Sequence, residues 1–593
     1  MRTIRAPELQ PATISDFGGG LNVVDNDTTM KSRYAKILKN WNKNTDGSMS
    51  VRWGTQFKFD IGGQVAGDMI ELIYFSRHLI AVTSEGEIAK VEYDTGSVTP
   101  IWNDAIAGAL VGAPDGWTPG LAVGSIDSTE FKGNLIICNG LDKPLIINSD
   151  LEVDYLQDPA LGTNIFTPIG RYCTTVSNYC VIAGIEAEET DIYVSSQGTS
   201  GVWFGDADPN DAVVFSIASY VPQNSGRIIG LGSFRNYLLV AFEGSIVVVE
   251  LGQYVADAHV PKVQDNIVSH GVVSHRTMIS TRQDFVMADV LGWHSAFKNN
   301  YGLIDTKPLS ELINPSYIAA VPTTDAGRVQ SFSVRNGLEG RIMTFLATDT
   351  GPVTGYVLTS SDREKIKEPA WNTIEGWAWT CGCSTERGRV FFGVGTKIFL
   401  YGNSEYPGEG FTADFVNEYD GDWQSSVGYN VGDRVEYDNV VYIAVEAHIS
   451  DNFELDLSAG YWQVYAGDEI EFDWELPWTD INARARKKFL QYIQMDTRGA
   501  AAFEACVYVD NFYTHPVTGL DSPQLILGFV GGDAPGYGGG DQPFGGGRRT
   551  KDERPWMSPG QFKILKLRFR GSSRQALRVQ TVTILYHMGT YKR

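Results

Sequence analysis

The sequence predicts an all-β protein: a β-propeller of six or seven blades, a small inserted module and a C-terminal β-sandwich. Three observations carry this. First, one pattern recurs seven times: a polar pair, a run of apolar residues, a turn and a second apolar run. The copies begin at Arg77 (RHLIAVTSEGEIAKVE), Lys132 (KGNLIICNGLDKPLII), Ser177, Arg235 (RNYLLVAFEGSIVVVE), Arg282, Gly340 and Gly388 (GRVFFGVGTKIFLY). Second, counted from Leu79, Leu135, Tyr179, Tyr237, Phe285, Ile342 and Val390, the steps are 56, 44, 58, 48, 57 and 48 residues, the period of a propeller blade. Third, aromatic residues reach 12% and glycine 64 copies, which suits short strands joined by many tight turns.

Residues 1–60 read as an N-terminal arm and docking segment. DFGGGLNVVDND, from Asp16, is a glycine-rich turn. TTMKSRYAKILKNWN, from Thr28, places Tyr34, Ile37, Leu38 and Trp41 at steps of three and four, which predicts a short helix over 28–42. Asp46-Gly47 then turns the chain into the strand pattern SMSVRWGTQFKFDI.

Residues 61–414 hold the seven hairpins and form the propeller-like platform. Each hairpin supplies two strands of a blade, and the intervening segments supply the others. The strands are near-continuous apolar runs, which implies burial on both faces, as stacked blades require.

Residues 415–466 break the rhythm. Trp423 leads, then Tyr429, Gly432-Asp433, Val435, Tyr437, Val441-Tyr442, Ala444, His448, Phe453 and Trp462. This layout resembles the chitin-binding type of carbohydrate-binding module. The resemblance implies that Trp423, Tyr429, Tyr442 and Trp462 stack on the apolar faces of a host surface glycan. The alternative is that the same rings form the core of a domain too small to have another.

Residues 467–593 form a further all-β unit. EIEFDWEL, KKFLQYIQM, FEACVYV, QLILGFV, FKILKLRFR and LRVQTVTILYHM are six candidate strands of a sandwich or jelly roll. Between two of them lies the glycine-rich loop 531–547, followed by Arg548, Arg549, Lys551 and Arg554. It lacks the Lys-Ser/Thr pair of a phosphate-binding loop.

Composition narrows the function. A formal charge of −23 argues against general nucleic-acid binding, which needs basic stripes to neutralise phosphate. The cysteines at 138, 173, 180, 381, 383 and 506 include no CxxC pair, so reduced, structural thiols are expected. The opening residues lack the apolar core of a secretion signal, and no apolar run approaches 18 residues, so neither a leader nor a membrane span is expected. His270 and His275 stand five apart in SHGVVSH, a spacing that suits a metal pair on neither strand nor helix. GxSxG, HExxH and the sialidase Asp-box are absent, and no catalytic residue, cofactor or metal is expected.

Taken together, DFGGGLN, NTDGSMSVRWG, the propeller-like middle and the closing RGSSRQALRVQTVTILYHMGTYKR are similar to the tail nozzle proteins of short-tailed bacteriophages, the family of tail tubular protein B. The resemblance implies a virion protein, assembled in the host cytoplasm, that forms a homohexameric tube at the distal end of the tail. Such a tube docks on an adaptor ring, supports tail fibres or spikes, and lets double-stranded DNA pass transiently. Acidic residues facing the bore would keep DNA from sticking. Gly538, Gly539, Gly540, Phe544, Arg548 and Arg549 are then candidates for a gate that converges on the axis. Two other readings compete: a receptor-binding or glycan-degrading tail protein, and a cellular propeller scaffold that binds proteins.

Overall fold

The computed structural model describes residues 9–588 apart from 27–28, 45, 108–116, 157–166, 204–211, 223–225, 253, 256–257, 269, 282, 299–303, 338, 348–353, 361–367, 403–410, 482–485, 499–501, 510–524 and 531–560. The chain divides into two compact units. One comprises Phe59–Pro369 and Glu375–Ile398, the other Met1–Lys58, Ala370–Ile374 and Phe399–Arg593.

The first unit is a seven-bladed β-propeller. Its first five sheets are antiparallel and four-stranded, spanning residues 69–102, 127–155, 172–216, 230–268 and 279–308. The sixth starts with Phe332–Asn336, Arg341–Leu346 and Thr354–Thr359. The seventh contains Cys381–Ser384, Val390–Val394 and the start of Lys397–Tyr401. Each hairpin expected from the sequence is the second and third strand of one sheet. The polar pair that opens a repeat is the turn between first and second strands. Ser76 and Arg77 sit at φ 46° and 66°, Lys132 and Gly133 at 51° and 80°, and Ser177 and Asn178 at 49° and 69°. Two consecutive left-handed residues make the turn whose twist matches the flanking strands.

The doubled apolar runs have a direct cause. Alternate residues of each second strand pack against opposite neighbouring blades. Leu135 and Ile137 join Ile80 and Val82 of the first blade, whereas Ile136 and Cys138 join Cys180 and Ile182 of the third. Val181 and Ala183 then meet Leu238 and Val240, and Leu239 and Ala241 meet Phe285 and Met287. Every position is therefore interior, and each Leu or Ile contributes about 1.5–3 kcal/mol of burial.

The ring closes end on end. Neighbouring first strands touch from the second sheet to the seventh, and the seventh touches the first. Ile61 N–H donates to Thr396 O at 3.0 Å and Met69 N–H to Gly395 O at 2.8 Å, so the chain entering the first blade is bonded to the last. All six cysteines are free thiols; Cys138, Cys173 and Cys180 fill the core between the second and third blades.

The second unit is built from both ends of the chain. One sheet runs Gln561–Phe562, Lys488–Arg498, Arg578–Met588, Met49–Val51, Trp41–Lys43, with Leu9–Ile14 also on Arg578–Met588. The other contains, in order, Ile37–Lys39, Ile470–Glu475, Leu565–Ser573, Ala502–Val509 and Leu525–Val530. All six strands expected from the last third are present. Trp41 joins the two sheets, its ring 5.4 Å from both Phe472 and Trp474.

The helix expected over 28–42 does not form. Tyr34–Ala35, Ile37–Lys39 and Trp41–Lys43 are strands, broken by Asn40 at φ 58°. Asn40 Nδ2 donates to Glu471 O at 2.7 Å, and Lys36 N–H donates to Glu475 O at 2.8 Å. Pairing with a distant strand outweighs the weak helical preference of a short segment. Residues 9–58, expected as an arm, accordingly contribute strands to both sheets of this unit.

Candidate functional site

Two places in the molecule gather side chains of functional interest: the propeller axis and the module at 415–466. At the axis lies the short 3₁₀ turn His275–Thr277, capped by Ser274, whose Oγ accepts from Arg276 N–H at 3.2 Å. Arg276 spans several blades. Its Nε is 2.9 Å from Glu71 Oε2 of the first blade. Its Nη2 donates to Thr380 O at 2.9 Å, beside the seventh blade's first strand, and its Nη1 to Gln330 O at 3.3 Å, beside the sixth's. His275 Nε2 donates to Ile126 O at 2.8 Å, and its ring lies 5.2 Å from Tyr172, at the second and third blades. A segment touching five innermost strands, or the residues just before them, sits on the axis and plugs that end of the propeller.

The electrostatics there are those of a dry brace. Burial drives His275 down to about 3, so it stays neutral as the Nε2–H tautomer. Burial lifts Asp127 to about 7, against hydrogen bonds from Cys173 N–H at 3.0 Å and Ser128 N–H at 2.8 Å. Burial also raises Glu71, opposed by the Arg276 guanidinium. These groups tie blades together through backbone partners and one ion pair.

In the module, strands Gly421–Asp422, Arg434–Tyr437, Val440–Ala444 and Trp462–Val464 form one sheet and Val427–Tyr429 pairs with His448–Ser450. Helix Phe453–Ser458 is capped by Asn452, whose side chain accepts from Leu455 N–H at 3.2 Å. The four residues singled out for glycan stacking are brought together, two of them inside the module's core. Tyr429 and Trp462 are buried at 8% and 3% exposure, with Phe453 and Val435, and Trp423 and Tyr442 pack half-buried against them. Trp423 Nε1 donates to Ser450 Oγ at 2.7 Å. Tyr429 OH accepts from Gln424 N–H at 2.8 Å. The burial of Tyr429 and Trp462 has a physical reason: so short a segment has few other large apolar groups with which to build a core.

Six large apolar residues of the module face solvent. Val431, Val440, Val445, Ile449, Leu455 and Val464 are all exposed. Val431, Val445 and Val464, with Ile443 and Tyr465, line a shallow recess of about 300 Å³ that also meets Asp468 and Arg574. Arg434 lies 4.5 Å from the centre of the Tyr465 ring and pairs with Glu418.

The candidate gate residues Gly538, Gly539, Gly540, Phe544, Arg548 and Arg549 lie outside the described residues. His270 and His275, five apart in sequence, serve different places: His275 braces the axis, whereas His270 meets Asp289 and His294. The role of Arg276 was missed, since nothing in VVSHRTMIS marks it as central; the isolated Ser-His-Arg between two strand patterns is its only signal. Among the described residues no helix is long and apolar enough to cross a membrane.

No protein-family model matches this chain, and no curated protein matches it. Solved structures similar to it include a β-propeller domain. The Cps50 (Swd1) β-propeller domain of Myceliophteria thermophila is 8% identical, covering 57% of this chain and 97% of that one at a TM-score of 0.36. YCF48 from Cyanidioschyzon merolae is 8% identical, covering 60% and 99% at 0.32. PorZ of Porphyromonas gingivalis is 12% identical, covering 66% and 42% at 0.34.

Proposed function

We propose that this chain is a structural protein of a short-tailed bacteriophage virion: a nozzle subunit that assembles as a homohexamer, docks on an adaptor ring, supports fibres or spikes and surrounds DNA during ejection. The observation that carries the reading is the junction of the segments on which the family resemblance rests. Those segments, 16–22, 44–54 and the described part of 570–593, are far apart in sequence, yet they share one unit and do interlocking work there. Strand Met49–Val51 pairs with Arg578–Met588 through Ser50↔Arg578 and Met49↔Val579. Gly54 lies so close to Ala413 that a Cβ would stand 1.7 Å from its carbonyl oxygen. Gly20, at φ 72°, sits against the Trp371 backbone, where a Cβ would come within 2.6 Å of the nitrogen.

The axial plug adds a geometric constraint. Arg276 and His275 fill one end of the propeller bore, so DNA would pass between copies and not through any single propeller. A ring of six such copies needs heterologous interfaces, for which the exposed apolar surface of the module is a candidate. With a net charge of −23, whatever share faces the lumen is repeated six times and repels phosphate. The reading assigns no catalytic role. Gold-labelled antibody to this chain, applied to virions of the phage that encodes it, tests the reading. Label at the distal tail with six copies per particle by quantitative mass spectrometry supports it; label elsewhere or copy numbers unrelated to six overturn it.

A further inference from the structure

A second chemistry is written in the propeller, between its fourth and fifth blades. His270 follows the last strand of the fourth blade, Lys262–Val268. Asp289 ends the second strand region of the fifth, after Asp284–Ala288, and His294 lies in its third strand, Trp293–Lys298. The fifth blade's hairpin turn therefore carries two of the three groups and the inter-blade connection carries the other.

Asp289 is held on every side but one. Its Oδ1 accepts from Leu291 N–H at 2.6 Å and Gly292 N–H at 2.7 Å. Its N–H donates to Gly292 O at 2.8 Å and its carbonyl accepts from Tyr317 OH at 2.9 Å. This arrangement aims Oδ2 at the histidines, and both His270 Nδ1 and His294 Nδ1 stand 3.4 Å from it. Neither nitrogen makes a hydrogen bond of acceptable geometry, and both are buried atoms. The rings lie 3.8 Å apart between centroids with a 33° tilt, so the two imidazoles sit side by side over the same carboxylate. Metal binds imidazole in its neutral form, and an Nδ1 lone pair that points at a carboxylate oxygen is repelled by it unless a cation stands between the two.

The distances suit a cation. Ligands 2.0–2.1 Å from a tetrahedral zinc ion are about 3.3 Å from one another, close to the two 3.4 Å separations seen here. All three ligand atoms lie within 4.8 Å of one another. The hydrogen bonds to Asp289 Oδ1 and its carbonyl are the outer shell that orients a ligating carboxylate. His270 is 27% exposed, which gives an ion a way in and leaves a fourth position open to water.

We propose that His270, Asp289 and His294 bind one first-row divalent transition cation of the zinc type, through Nδ1, Oδ2 and Nδ1, stapling the connection that leaves the fourth blade to the hairpin of the fifth. The full chain, stripped with chelator and passed into metal-free buffer, is titrated with zinc chloride and, separately, with cobalt chloride as a spectroscopic probe. One equivalent of zinc per chain is expected, with a higher thermal midpoint. Cobalt is expected to give ligand-field bands without thiolate charge transfer. His270→Gln and Asp289→Asn, each checked for native circular dichroism, should weaken binding by more than about tenfold, the cost of even an outer-shell change. Failure of the wild type to bind zinc, a thiolate band from the cysteines, or unchanged affinity in a His270→Gln/His294→Gln double variant each overturns the proposal. The cobalt spectrum needs no variant, so a folding defect in a substituted chain cannot shield it.

Discussion

Arg52 grips Asp414 through two parallel hydrogen bonds, Nη1 to Oδ1 at 2.7 Å and Nη2 to Oδ2 at 2.6 Å, across 362 residues of chain. Both side chains are buried, at 1% and 7% exposure, and Arg52 Nε also donates to Asn40 Oδ1 at 2.9 Å. A planar fork meeting a carboxylate in this way is specific to arginine. The arginine of the RWG motif thus locks the N-terminal strands onto the segment that leads into the module.

Removing one partner leaves the other charge buried and unpaired. Arg52→Ala should destabilise the unit by about 3–5 kcal/mol, and Arg52→Lys should recover only part of that. Denaturant unfolding followed by tryptophan fluorescence checks this. A loss within a few tenths of a kcal/mol would mean the pair is dispensable.

Gly54 offers a contrast between two glycines. A Cβ there meets Ala413 backbone at 1.7 Å, whereas one at Gly63 meets nothing within 4 Å. Gly54→Ala should cost about 3 kcal/mol or more and Gly63→Ala well under 1 kcal/mol, the difference between forced backbone movement and an open surface. Equal thermal midpoints for the two variants would contradict the close approach.

His275 makes the axial plug sensitive to acid. Its folded value is held near about 3 by burial, below that of the unfolded chain, so its contribution is complete above about 6.5 and is lost as pH falls towards 3. Over that window the stability difference between wild type and His275→Gln should shrink by roughly 1.4 kcal/mol per pH unit. Asp127 has the opposite sign: its folded value of about 7 adds stability at low pH that fades as pH rises through 7. Taking the difference between wild type and variant cancels that background. A difference that stays constant from pH 7 to 4 would show that His275 is solvated.

In the module, Trp462→Ala should cost about 3–5 kcal/mol through loss of a buried aromatic, with Tyr429→Ala close behind. With both rings inside, the wild-type chain should pass unretarded through a chitin column. Retention that survives high salt and is lost in Trp423→Ala would return the module to glycan binding.

Much of this architecture could be read from sequence because local and tertiary signals agree. A two-residue turn such as Ser76-Arg77 fixes a hairpin locally, and residues such as Leu135 and Ile136 are apolar because each faces a different blade. The segment around Trp41 misled for the converse reason. Tyr34, Ile37, Leu38 and Trp41 fit a helical face by spacing, but the chain gains more from pairing with Asp473 and Glu475, far along the sequence. The aromatic residues of the module were correctly grouped, but spacing does not tell a stacking ring from a core ring. The set His270, Asp289 and His294 was invisible because its geometry comes from the stacking of two blades and not from any chain spacing.

The central claim is that the passage lies between copies of this chain, each propeller being plugged at its own axis by Ser274–Thr277. Single-particle electron microscopy of the assembled tail measures this most directly. The account predicts a sixfold ring whose lumen is bounded by several chains, with side-chain density for His275 and Arg276 filling each propeller axis. A single copy at the tail tip, or DNA density threading one propeller, would contradict it.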